Sequence, residues 1–453
     1  MVPPQSMYFI MSQQESTVTD TQQPAPRVIP RSEHSISRKN IDREALKVLY
    51  RLRDAGHSAY LVGGGVRDLY LGKTPKDFDI STDAHPGELR KIFKNSRIIG
   101  RRFRLVQVFF RPDKIIEVAT FRCSSEYDLE GEEKVLAANN TFGSPVEDAF
   151  RRDLTINALF YEVENFTIID YVGGVEDLNN KIVRIVGDPD RRITRDPVRM
   201  LRAIRHAARS NFSIEPATWA AILTHRDKLN LCPDSRIRDE FFKDLRGGAS
   251  RAWAELALES GIFFVLLPFY QACLTGPDNA GNRERLLSLL AVSDRLHGEG
   301  VQLPEEMLFA MLLLVWAEVE MGLGGEPLKG QQAFAFSRQL RSALDENLAA
   351  LNIKRSTREI VTGLLVNLPI CEQCGASGKW PKWLQKKSYF RDVSQFYALC
   401  REAEEGKQAE VAFAQKEKKR APQRRSSGRK RSGGRRSSRQ PAFAKGGIFG
   451  LKK

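Results

Sequence analysis

The sequence predicts a mixed α/β head, an almost wholly helical continuation and a strongly basic tail. Up to about residue 188, short apolar runs of strand length alternate with helical segments and glycine-containing turns. From Asp196 to about residue 405 the apolar spacing is helical nearly throughout. Residues 416–453 hold fifteen lysines and arginines against one acid, Glu417, a net +14 within a chain whose total is +15.

The elements follow in order. After a polar leader, in which Met11 is a candidate start, IDREALKVLYRLRDAG (41–56) reads as a helix. Leu46, Leu49 and Leu52 lie along one side and Gly56 ends it. Leu61 and Val62 close a short strand, Gly63, Gly64 and Gly65 turn, and residues 66–71 start a helix. KDFDI is a strand, Pro86 opens the helix PGELRKIF, and FRLVQVFF (103–110) and IIEVATF (115–121) are strands around the turn RPDK. Residues 122–145 are polar and read as a long loop. A helix is expected over about residues 147–161, then a strand over TIIDYV and a turn at Gly173 and Gly174.

Composition narrows the function. At 453 residues the chain has room for two or three domains with ample core. No apolar run reaches membrane-spanning length, and the N-terminal residues lack the pattern of a signal peptide. Six cysteines in so long a chain do not suggest a disulfide scaffold, which places it in a reduced cytoplasm. Cys371 and Cys374 form a CxxC without a second pair, so they read as ordinary thiols. The tail has serine and glycine between its charges and little to bury, so it is expected to be disordered and to suit a polyanion.

The chemistry concentrates in a few stretches. In LVGGGVRDLYLGKTPKDFDIST (61–82), glycines let backbone N–H groups approach a phosphate. Asp77 and Asp79 flank Phe78, so on a strand both carboxylates face outward while Phe78 faces the core. Such a pair suits Mg²⁺, although the same pattern occurs on ordinary half-exposed strands. A dinucleotide fingerprint is excluded by Asp68 where a third glycine belongs, and a P-loop by Arg67. Arg152, Asp153 and Asn157 offer a cation, an acceptor and an amide, the partners of a triphosphate and a ribose, or simply a solvated face. Asp196 before Pro197 is either a helix cap or, with Arg199 one turn on, a reader of the adenine edge. Glu117 is a further acid near the aspartate strand, ranked after Asp153 as the third acidic participant.

Taken together and in this order, GGGVRD, KDFDI, RRDLTINA, DYVGGVEDL and DPVRMLRAIR resemble the class II nucleotidyltransferases, the bacterial poly(A) polymerases and CCA-adding enzymes. The resemblance covers roughly residues 30–245. It implies a polymerase-β-like head followed by an all-α neck and body. It further implies that Gly63, Gly64 and Arg67 handle the triphosphate, and that Asp77 and Asp79 bind two Mg²⁺ ions. Arg151, Arg152 and Asp153 would serve the sugar and the active site, with Asp153 catalytic, and Asp196 and Arg199 would recognise the base. The family usually carries Glu where this chain has Arg195, which bears on nucleotide choice.

IIGRRFRLVQV (98–108), IPRSEHSISRKNI (29–41) and the arginine-rich tail resemble the poly(A)-synthesising branch, and no His-Asp dipeptide occurs. The expectation is therefore a template-independent polymerase adding AMP from ATP to RNA 3′ ends, in polyadenylation, RNA processing and turnover. Its tail would be a non-specific RNA contact. The alternatives are CCA addition or a non-catalytic RNA-binding protein. The expected divisions are a leader (1–35), head (36–188), neck (189–275), body (276–405) and tail (406–453).

Overall fold

A computed structural model describes residues 25–100, 104–111, 113–123, 142–324, 327–375 and 380–410. The expected leader before residue 25, most of the 122–145 loop and the tail from residue 411 lie outside the described residues. Residues 1–413 group as one compact unit and 414–453 as a second, which falls wholly outside the description.

The head is built on one eight-stranded sheet. Its strands are β1 (Arg27–Ile29), β2 (Ala59–Val62), β3 (Asp79–Thr82), β4 (Ser96–Ile99), β5 (Leu105–Phe110), β6 (Lys114–Thr120), β7 (Leu159–Glu162) and β8 (Thr167–Asp170). The spatial order is β1-β8-β7-β2-β3-β6-β5-β4, antiparallel throughout except for the central parallel pair β3 and β6. The helices between them are α1 (Arg43–Asp54), α2 (Gly64–Tyr70), α3 (Pro86–Ile92) and α4 (Pro145–Phe150), and α5 (Gly174–Asn180) follows β8.

Local sequence explains these elements. Asp42 caps α1, accepting from the Glu44 and Ala45 amides at 2.9 and 3.2 Å. The helix buries Ala45, Val48, Leu49 and Leu52, the i, i+3, i+4, i+7 stripe, with Leu46 only half-buried at its margin. Asp170 gathers the amides of Val172, Gly173, Gly174 and Val175 within 3.1 Å, so the YVGGV turn closes around one carboxylate.

Three expectations are corrected. The leader does not extend to residue 35: Arg27–Ile29 pairs antiparallel with β8, and Ile29 and Ile36 are buried. The strand β4 is absent from the sequence reading; two of its residues, Arg97 and Ile98, are exposed at the sheet edge, so it lacks a continuous apolar signal. The helix expected over 147–161 stops at Phe150, turns through a 3₁₀ segment (Thr155–Asn157) and becomes β7. Its backbone is captured elsewhere: Thr155 N–H donates to Arg184 O and Val186 N–H to Asp153 O, at 3.0 and 3.1 Å. Arg192 donates to the carbonyls of Arg151 and Arg152 at 2.7 and 2.6 Å. Phe150 is 37% exposed, whereas Leu154 is fully buried.

A two-stranded parallel pair, β9 (Ile182–Val183) with β10 (Ser213–Ile214), joins the head to the helical part. There follow α6 (Pro189–Arg195), α7 (Val198–Ser210), α8 (Pro216–His225), α9 (Asp234–Leu245), α10 (Ser250–Glu259), α11 (Ile262–Leu266) and α12 (Gln271–Leu274). The remaining helices are α13 (Ala280–Gly298), α14 (Glu305–Val319), α15 (Gly330–Asn347), α16 (Arg355–Gly375), α17 (Lys382–Gln385) and α18 (Phe390–Glu405). In α14 every residue from Met307 to Ala317 is buried, which marks it as the central helix of this core. Among the described residues no helix is long and apolar enough to cross a membrane.

Candidate active site

The glycine turn and the aspartate strand lie against one another. Gly63 has φ +71°, a conformation that a side chain strains, and it opens α2 directly from the end of β2. A Cβ on Gly65 would come within 3.3 Å of the Asp77 carbonyl oxygen and 3.9 Å of Phe78 Cα. The third glycine therefore lets the chain preceding β3 rest on the first turn of α2. Phe78 is buried while Asp77 and Asp79 are exposed, as the alternation predicts.

Asp79 stands at the crossing of three strands. It faces Val62 on β2 and Glu117 on β6, and Glu117 in turn faces Gln107 on β5, whose amide donates to it at 2.9 Å. The atoms crowding Asp79 desolvate its carboxyl and raise its pKa above the usual range. The negative charges of Glu117 and Asp77 add to that, and the Arg152 guanidinium opposes it. Glu117, ranked second from sequence, is thus the acid that the sheet registers beside Asp79. Its signal was its place on a strand of strict alternation.

Arg152 connects this end of the sheet to the glycine turn. Its guanidinium donates to Ser81 Oγ at 3.2 Å and to Asp148 at 2.7 Å, and it lies over the Phe160 ring at 5.1 Å. A Cβ on Gly63 would sit 3.5 Å from Arg152 Nη1. The arrangement offers one fixed cation between a backbone turn and a carboxylate edge. Asp148 is almost fully buried and also holds Arg151 at 2.8 Å. Sequence reading missed Asp148; the clue was its position three and four residues before the paired arginines.

Arg67 points inward. It donates to Asp68 at 2.7 and 2.9 Å and to Asn157 Oδ1 at 2.6 Å, with His206 Nδ1 at 3.2 Å. His206 lies 3.3 Å from the Asn157 amide nitrogen through its other ring nitrogen. Burial first, and then the charge of Arg67, push the His206 pKa well below its ordinary value, so the ring is neutral. Arg67 and Asn157 are brought together, as part of a brace between α2 and α7 rather than as free groups.

The expected base readers each have a protein partner. Arg199 donates to Asp153 Oδ1 and to the Arg192 carbonyl, both at 2.8 Å, and Arg202 pairs with the other Asp153 oxygen. These two guanidinium groups outweigh burial and draw the Asp153 carboxyl down to about 2. Asp196 does not cap α7 with its side chain and does not pair with Arg199; its carboxylate lies 2.9 Å from Arg236 Nη2. The chain of charges continues from Arg202 to Glu240, on to Arg205, and from Arg205 Nε to Asp244 at 3.1 Å. Asp153, grouped with Asp77 and Asp79 as catalytic in the sequence reading, is engaged here by two arginines of α7. The helix expected over 147–161 would have kept it on an outward face; the break at Phe150 turns it toward α7.

Among the described residues no three His, Cys, Asp or Glu side chains converge tightly enough to hold a metal alone. Asp77 and Asp79 fit Mg²⁺ as a partial ligand set, since that ion keeps waters and takes substrate phosphate oxygens. Desolvation raises Asp79 most, and the like charge of Glu117 and Asp77 that adds to it is what a bound cation would relieve.

Comparison with known proteins bears on this geometry. A family profile described as the poly A polymerase head domain matches residues 59–184, and one described as a probable RNA and SrmB-binding site of polymerase A matches 211–274. The poly(A) polymerase I of Salmonella typhimurium is 42% identical over 356 residues, 76% of each chain. The chain belongs to the family of poly(A) polymerases and CCA-adding enzymes. The CCA-adding enzyme of Bacillus subtilis is 37% identical over 228 residues, 50% of this chain and 56% of its own. The Bacillus stearothermophilus CCA-adding enzyme, solved in complex with CTP, aligns with a TM-score of 0.60 at 25% identity, over 81% of this chain and 78% of that one. Family membership makes this chain an enzyme, a nucleotidyltransferase of the kind that extends RNA 3′ ends without a template.

Proposed function

We propose that the protein is a poly(A) polymerase that transfers AMP from ATP to RNA 3′ ends in the cytoplasm. The RNA 3′-hydroxyl attacks the α-phosphate, the bond to the β-phosphate oxygen breaks, and pyrophosphate leaves. The observation that carries this reading is Arg152, fixed between the Gly63 turn and the Asp79 strand. A triphosphate lying along the turn meets backbone N–H groups on one side and this guanidinium on the other.

Asp77 and Asp79 would hold Mg²⁺, which when bound lowers the pKa of the attacking hydroxyl and neutralises charge on the leaving oxygens. The chain's own residues do the positioning. Phe78 anchors the two carboxylates, Asp148 fixes Arg152, and the Arg67–Asn157–His206 brace ties α2 to α7. Asp153 acts through Arg199 and Arg202 as a positioning residue, and we assign base selection to Asp196 with Arg199 and Arg236. Holding reactants in register is where most of the rate comes from when no covalent intermediate forms.

The choice of ATP alone is supported by the span of the likeness, which reaches 76% of both lengths for the poly(A) polymerase I relative and about half for the CCA-adding relative. The basic residues 416–453 are assigned to RNA phosphates on charge alone. Replacing Asp77 by Asn tests the catalytic assignment. Transfer from ATP should fall at least 1,000-fold, an expectation resting on loss of a metal ligand, with RNA affinity and circular dichroism unchanged. Retained transfer would refute it.

A further inference from the structure

The helical part holds an exposed aromatic and basic segment that the reaction does not use. In WPKWLQKKSYFR (380–391) four cations occur with no acid, Asp392 being the next one along. Its aromatic residues are sorted into two sets. Trp380 packs edge-on against Phe390 and Tyr397, at 5.6 and 5.8 Å between ring centroids, and Leu384 is fully buried. Trp383 is 50% exposed and Tyr389 37% exposed. The segment is therefore pinned by one set of apolar side chains while a second set is held out in water.

Lys382, Lys386 and Lys387, close to these two rings in the chain, are all exposed. Among the described residues none of these lysines pairs with a carboxylate. The segment is tied to itself: Lys387 N–H donates to Leu384 O at 3.0 Å and the Gln385 side-chain amide to Trp380 O at 3.1 Å. A tryptophan left half in water costs hydrophobic free energy that folding could have recovered. Cations around such rings match a polyanion that carries flat apolar faces, which is the chemistry of unpaired nucleotides.

We propose that Trp383 and Tyr389 form a stacking platform for single-stranded RNA, with Lys382, Lys386 and Lys387 on the phosphates. The inference rests on RNA being the substrate. Single-stranded RNA is the occupant because a duplex hides its base faces within its own stack.

The test uses the full chain and fluorescence anisotropy with a labelled oligo(A), an RNA duplex and polyglutamate. Trp383→Ala should weaken oligo(A) binding by between about 5-fold and about 150-fold, the range for losing one stacked base. Trp383→Phe should restore most of it. Lys386→Ala should lower the slope of log affinity against log salt by about 0.7. Duplex and polyglutamate binding should change little with Trp383→Ala. The platform is overturned if Trp383→Ala binds oligo(A) like wild type, or if the Phe variant is as weak as the Ala variant. It is also overturned if polyglutamate binding falls by the same factor, which would point to an acidic protein. AMP incorporation by the wild type, read in parallel, separates the two claims. Extension with ATP alongside unchanged Trp383→Ala binding removes only the platform. Trp383-dependent binding without any extension removes only the proposed function.

Discussion

Asp153 and Arg199, 46 residues apart in the chain, meet at 2.8 Å, and Arg202 closes on the other oxygen of the same carboxylate. One acid of the head thus sets two arginines of α7. The pair of cations depresses the Asp153 pKa to about 2. A depressed carboxylate stabilises the fold above its unfolded pKa and loses that contribution as pH falls through the folded value. The contribution is on the order of 2 kcal/mol at pH 7 and fades between about pH 4 and pH 2. Asp153→Asn should therefore lose about 2 to 3 kcal/mol in urea unfolding at pH 7, with the gap to wild type closing across that acid window.

Asp79 has the opposite sign. Its carboxyl is raised by desolvation and by Glu117 and Asp77, so its charged form costs stability at neutral pH. The cost disappears as pH falls and the group protonates. Asp79→Asn should raise the melting temperature at pH 7 and leave it near wild type at low pH, while abolishing transfer. A melting temperature that drops at pH 7 would show that Asp79 supports the fold instead.

Gly65 couples the phosphate turn to the aspartates by contact alone. An added Cβ at 3.3 Å from the Asp77 carbonyl oxygen forces the Asp77 chain to give by a few tenths of an ångström. Gly65→Ala should cost less than about 1 kcal/mol of stability but at least about 10-fold in kcat, since small misplacements at a reacting centre are expensive. Steady-state kinetics with ATP, set beside thermal unfolding, separates the two effects.

Asp196 and Arg236 should govern which base is accepted. Arg236→Ala leaves the Asp196 carboxylate buried without its cation. The expected outcome is a ratio of kcat/KM for ATP over CTP that falls by at least about 10-fold, the scale of one lost charged hydrogen bond. An unchanged ratio would move base selection to other residues.

Much of the head was legible because its signals are local. The strand ends, the glycine turn and the Asp77-Phe78-Asp79 alternation each follow from a few adjacent residues, and the fold places them as expected. What was not legible depends on distant partners. Residues 151–157 have a helical look, yet their backbone groups bond to Arg184, Val186 and Arg192, and that capture ends the helix. The same break redirects Asp153 toward α7. Likewise Asp196 before Pro197 has the composition of a helix cap, but Arg236, forty residues on, takes its carboxylate. Glu117 was legible as a further acid near the aspartate strand, but its register directly beside Asp79 comes from the parallel pairing of β3 with β6.

The central claim is tested most directly by giving the purified full chain Mg²⁺ and either a generic RNA oligomer or a tRNA ending before CCA, with ATP or CTP supplied separately. The account predicts long extension of both RNAs with ATP and little with CTP. Addition confined to the tRNA and beginning with CTP would contradict it and make the chain a CCA-adding enzyme.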